Sequence, residues 1–61
     1  MTQKINDFVT LKAYVISKLT VAIANAYSLP KLKKAVRESS EEANKIIKDY
    51  AENGFVVEVG E

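Results

Sequence analysis

The sequence has no cysteine, no histidine and no tryptophan, and its 61 residues include only two glycines and one proline. Without cysteine no disulfide can stiffen a small fold, and without cysteine or histidine the usual zinc ligand sets cannot be assembled. Catalysis loses its most versatile acid–base group and its thiol nucleophile. The only glycines, Gly54 and Gly60, bracket a short segment near the end of the chain, so there is no glycine-rich phosphate loop. No catalytic, cofactor-binding or metal-binding residue is expected, and no small-molecule substrate.

Charge of one sign is also missing. Nine basic residues face eight acidic ones for a net charge of +1, so no global field draws the chain to nucleic acid. A long clean apolar run is absent too. Ala13 to Leu29 comes nearest, but Lys18 sits in its middle among Ser17, Thr20 and Asn25, whereas a span needs about 20 predominantly apolar residues. A secretory leader fits poorly, with Asp7 early and Lys12 and Lys18 inside the apolar part. The expectation is a cytoplasmic protein with no membrane role.

What is present is the composition of an ordinary globular domain, 48% hydrophobic and 28% charged. Residues 1–61 form one domain at most, and a domain of this size buries only about 60% of the surface its unfolded chain exposes. With disulfides and zinc excluded, oligomerisation or docking on another protein is the remaining source of stability.

The chain is organised around residues 5–27. At about 100° per residue, Ile5, Phe8, Val9, Leu11, Val15, Ile16, Leu19, Ala22, Ile23, Ala26 and Tyr27 share one broad face. Alternation of Leu11, Ala13, Val15, Leu19, Val21 and Ile23 offers a strand reading. Length decides for the helix, since a strand this long would be exceptional. The apolar face exceeds what one partner helix covers, and Ala13, Tyr14, Val21 and Ala24 carry it round the back.

Ser28, Leu29 and Pro30 close this helix and open a second over about 30–53, serine as N-cap and proline in the first turn. Leu29, Leu32, Val36, Ser39, Ala43, Ile46 and Tyr50 recur at heptad spacing. Two readings compete at Ser39-Ser40-Glu41-Glu42, which resembles a capping box. The apolar phase runs through the serines without slipping, which favours one rod. An antiparallel hairpin then pairs positions whose numbers sum to roughly 58, bringing Leu19 to Ser39, Val15 to Ala43 and Phe8 to Tyr50.

Asn53-Gly54 stops the second helix, and residues 55–59 read as a short strand, able to pair with 1–4, with its own copy in a dimer, or with a partner's sheet edge. The fold class is therefore mainly α: an antiparallel helical hairpin with a short C-terminal β-strand, completed by oligomerisation. In size and layout it resembles the small plasmid-encoded helical hairpins that dimerise into four-helix bundles. No motif of theirs matches, so the likeness is one of architecture.

Function is then expected to be non-enzymatic: a small regulatory or inhibitory protein acting by protein binding, as a homodimer, of the accessory kind found in phages and other mobile elements. The candidate partner-binding residues are Tyr14, Ile16, Val21, Ile23, Tyr27, Phe55 and Val57. The alternative is a DNA- or RNA-binding protein using Lys31, Lys33, Lys34 and Arg37, with residues 30–38 and 40–53 as separate helices of a helix-turn-helix-like arrangement and Asn44, Lys45 and Lys48 facing the nucleic acid. No aromatic is interleaved to stack on bases. Lys12, inside the apolar arc, is expected to snorkel or to meet Glu42 or Asp49 across the hairpin and fix its register.

Overall fold

The computed structural model describes residues 2–60. Strand β1 (Thr2–Ile5) leads into helix α1 (Phe8–Ala24), a short turn, helix α2 (Leu29–Glu52) and strand β2 (Val57–Gly60). The helices pack as an antiparallel hairpin and the strands pair antiparallel across its open end, with Ile5 opposite Val57 and Gln3 opposite Val59. The expected pairing of the two chain ends is therefore intramolecular, although Met1 lies outside the described residues.

Each helix begins at a side-chain cap. Before α1, the extended Asp7 accepts the Thr10 backbone N–H on its carboxylate at 2.9 Å, which satisfies one of the amides a helix start leaves free. This corrects the expected start at Ile5. An acceptor at Asp7 ends the strand before the helix can reach back, and Ile5 becomes a sheet residue, fully buried. The far end is also shorter than expected. Ala26 N–H turns back to the Ile23 carbonyl at 3.1 Å, and the chain leaves the helix axis in time for Ser28 to cap α2 through the Lys31 N–H. Tyr27 is thus a turn residue.

Helix α2 runs unbroken for 24 residues. The serine pair does not interrupt it, because the buried Ser39 hydroxyl donates to its own helix at the Ala35 carbonyl, the internal bond that lets a serine sit mid-helix. Ser39 and Ala43 are both buried against α1, so small residues here let the two helices approach. The separate helices of a helix-turn-helix-like arrangement are not formed.

The α2 terminus is a Schellman turn. Gly54 adopts a left-handed φ of 75° and Phe55 N–H donates to the Tyr50 carbonyl at 2.8 Å, the six-to-one bond of that motif. Its apolar contact is present as well, with the Phe55 and Tyr50 rings edge to face at 5.9 Å. Phe55 itself has φ 67°, a conformation that costs an L-residue roughly 1–2 kcal/mol. The strand consequently starts at Val57 rather than 55.

The core gathers at the strand end. Ile5, Leu11, Tyr50, Val57 and Val59 form one buried cluster, with Tyr14, Val15 and Ile46 packed against it. A two-stranded sheet is marginal by itself; here it is a lid whose inner face supplies three of those residues. Full burial of a side chain such as Ile5 contributes about 1.5–3 kcal/mol. Toward the turn, Leu19, Ala22, Ala26 and Leu32 are only half-buried.

Candidate functional site

Two helices laid side by side leave two open flanks, and the flanks of this hairpin differ chemically. On one, Phe8, Lys12, Ile16 and Ile47 surround a floor of Leu11 and Val15, enclosing a groove of about 250 Å³. Ile16 is 55% exposed and Ile47 44%. Val9 and Ile23 stand one heptad before and after Ile16, and Val36 and Leu29 lie in the α2 row containing Ile47, so helical periodicity extends the apolar surface toward the turn. All four of these residues are exposed.

On the other flank, Tyr14, Lys18, Val21, Glu38 and Glu42 stand around Ser39 beside a wider opening of about 590 Å³. Lys18 Nζ lies 3.7 Å from Glu42 Oε1 and 5.6 Å from the centre of the Tyr14 ring. Tyr14 first, and then Glu42, raise the Lys18 pKa above its ordinary value. The groups are about half exposed, so their pairing is worth at most about 1 kcal/mol. Although larger, this opening is walled by charges that already satisfy one another.

The register device is Lys18 with Glu42, not Lys12 with Glu42 or Asp49. Lys18 and Glu42 place the hairpin about two residues from the expected pairing, roughly half a helical turn. Lys12 is exposed and its ammonium sits 5.8 Å above the Phe8 ring, a cation–π contact. It belongs to the rim of the apolar flank.

The expected partner-binding residues do not form one patch. Ile16 and Ile23 lie on the apolar flank, Val21 on the ionic one. Tyr14 is half-buried against the core, and Tyr27, 85% exposed, projects from the turn. Phe55 is exposed but held over Tyr50. Val57 is buried in the sheet because its partner strand is β1, and it offers nothing to a second molecule. The expectation missed Phe8, Val9, Val36 and Ile47 as surface residues. The heptad spacing of Val9, Ile16 and Ile23 was the available signal, since it drifts steadily off the Leu11–Val15 seam.

Lys31, Lys33, Lys34 and Arg37 are all exposed, but at about 100° per residue they spread over some 160° of α2 and make no single track for phosphates. Among the described residues no group of three acidic side chains comes together to hold a metal, and no helix is long and apolar enough to cross a membrane.

The molecule also carries surplus surface. It is elongated, 38 × 20 × 20 Å with a radius of gyration of 12.4 Å, where a compact chain of this length has about 10.5 Å. Its accessible area is 4729 Å², against about 4000 Å² for a folded monomer of its mass. The excess of roughly 700–800 Å² approaches the share one partner contributes to a standard protein interface. Fold and surface together define a helical hairpin, stapled by a two-stranded sheet, with one apolar flank left uncovered. Comparisons with family models, curated proteins and solved structures return no match.

Proposed function

We propose that this protein is a small non-enzymatic regulator or inhibitor that works by binding protein through the apolar flank of its hairpin. The observation that supports this reading is the row of exposed Val9, Ile16, Ile23, Val36 and Ile47 on one side only, continuous with the core beneath and about as large as a partner's share of an interface. Scattered exposed apolar residues need no explanation, whereas a contiguous stripe rimmed by polar groups marks an interaction surface. Self-association into the homodimer expected from the sequence would cover the same surface.

The test is the double variant I16E/I47E, compared with the native chain by sedimentation velocity and by capture of protein from cell extract. Both residues are exposed, so circular dichroism should show unchanged helicity. The native chain is expected to self-associate or to retain a protein that the variant releases. A monomeric native chain that retains nothing, or a variant that behaves identically, would contradict the proposal.

A further inference from the structure

The charges around the apolar flank are of one sign. Helix α1 contains no carboxylate between Phe8 and Ala24, and its only charged residues are Lys12 and Lys18. Lys18 is engaged with Glu42 on the opposite flank, which leaves Lys12 as the charged rim of the groove on the α1 side. On α2, at about 100° per residue, Lys33, Arg37 and Lys48 fall on the side of Val36 and Ile47. Every carboxylate of α2 (Glu38, Glu41, Glu42, Asp49 and Glu52) falls in one arc of about 100° beyond them, with Glu41 and Glu52 nearest. Asp7, at the start of α1, is committed to its cap.

Shape narrows the occupant. Ile16 and Ile47 stand on either side of the Leu11–Val15 floor, so the surface is a groove between antiparallel helices, concave across and straight along its length. Val9 to Ile23 spans about 21 Å at 1.5 Å per residue, the length of a helix of some four turns. A rod of that size completes a three-helix bundle, burying an apolar stripe of its own on both walls at once. A bilayer is flat on this scale and would touch the walls but leave the floor. A second copy brings another basic rim against Lys12, Lys33, Arg37 and Lys48, and like charges across an interface disfavour association.

We infer that the groove between α1 and α2 on the Ile16–Ile47 side receives an amphipathic helix whose apolar stripe is flanked by carboxylates. This rests on the binding role proposed above for the same flank. Carboxylates on both shoulders of such a helix meet Lys12 on one wall and Lys33, Arg37 and Lys48 on the other, while the apolar stripe covers Ile16 and Ile47.

The test uses two fluorescein-labelled peptides with the same leucine and alanine stripe, one flanked by glutamate and the other by lysine, titrated with the full chain by fluorescence anisotropy. The glutamate peptide is expected to bind at least about tenfold more tightly. That preference should shrink between about 0.1 M and 1 M salt, where the screening length falls from about 10 Å to about 3 Å. It should reverse in K12E/K33E/R37E/K48E, and the single variant K12E should reduce it with the fold least disturbed. Equal binding of both peptides overturns the inference, as does binding of neither. So does a preference for phosphatidylglycerol vesicles over the glutamate peptide, or a homodimer that the peptide cannot displace. If the peptides fail while association still depends on Ile16 and Ile47, the acidic-helix inference falls and the binding role stands. If nothing depends on those two residues, both fall.

Discussion

The two flanks of the hairpin are built from the same pair of helices and meet opposite fates. On the Lys18–Glu42 side, charges pair across the seam, the Tyr14 ring shields the ammonium, and the small Ser39 keeps the helices close. On the Ile16–Ile47 side no ion pair crosses, and branched apolar side chains stand in solvent. The ionic flank carries its own register and needs no partner. The apolar flank holds surface in excess of what a chain of this size can cover, and cations with no carboxylate of the same face to answer them. In a domain too small to bury everything, where the uncovered area is placed is the functional choice.

The comparison can be broken most severely from beneath, because both flanks hang on the strand lid. Ile5→Ala removes the one fully buried large side chain and should destabilise the fold by about 2–5 kcal/mol. Since a core of this size supplies roughly 3–5 kcal/mol in total, thermal or urea unfolding should find much of the variant already unfolded near 37 °C.

Next in size is the asymmetry itself. Glutamate at Ile16 and Ile47 should weaken association at least about tenfold, or about 1.4 kcal/mol, with helicity retained. Glutamate at Val21, equally exposed but on the ionic flank, should change association less than about twofold, within a few tenths of a kcal/mol.

The α1 cap serves both flanks and its effect is smaller. Asp7→Ala should cost about 1 kcal/mol, read from the urea midpoint. The Thr10 hydroxyl, and then its backbone N–H, hold the Asp7 carboxyl below the ordinary aspartate value. A depressed carboxyl contributes stability that is complete above its unfolded pKa and is lost as pH falls through the folded one. The difference between native chain and variant should therefore vanish only below about pH 4.

The smallest effect belongs to the ion pair. Lys18→Met should change stability by less than about 1 kcal/mol. Because the Lys18 pKa is raised, its contribution is whole below the ordinary lysine value and is lost only as pH climbs through the raised one, above about pH 10.5.

Much of the architecture is legible in the chain because it rests on periodicity. The seam Leu32–Ser39–Ala43–Ile46–Tyr50 keeps its phase through the serines, and the structure keeps the helix. Gly54 marks the end of α2 by its φ alone. What could not be read was the role of residues whose phase fits two elements. Ile5 falls on the apolar arc of a helix and equally on the inner face of a strand. Only the Asp7 cap decides between them, and an acidic residue before an apolar run was not weighed as a stop for what precedes it.

The candidate surface was legible in kind but not in place. Angular counting gathered Phe8, Val9, Ile16 and Ile23 with the buried seam, since an arc that broad gives no centre until the partner helix is set against it. Leu11 and Val15 take the seam; residues further round are left outside. Val57 was misplaced for the complementary reason. Its alternation fits any pairing, and β1 is too short to announce itself as the strand it joins.

The central claim is that association uses the apolar flank and spares the ionic one. Amide chemical shifts of the ¹⁵N-labelled full chain, followed while the glutamate-flanked peptide is added, test this most directly. The account predicts shifts concentrated at Val9, Lys12, Ile16, Ile23, Val36 and Ile47, with Val21, Glu38 and Glu42 unmoved. Shifts centred on Val21, Glu38 and Glu42, or none at saturating peptide, would contradict it.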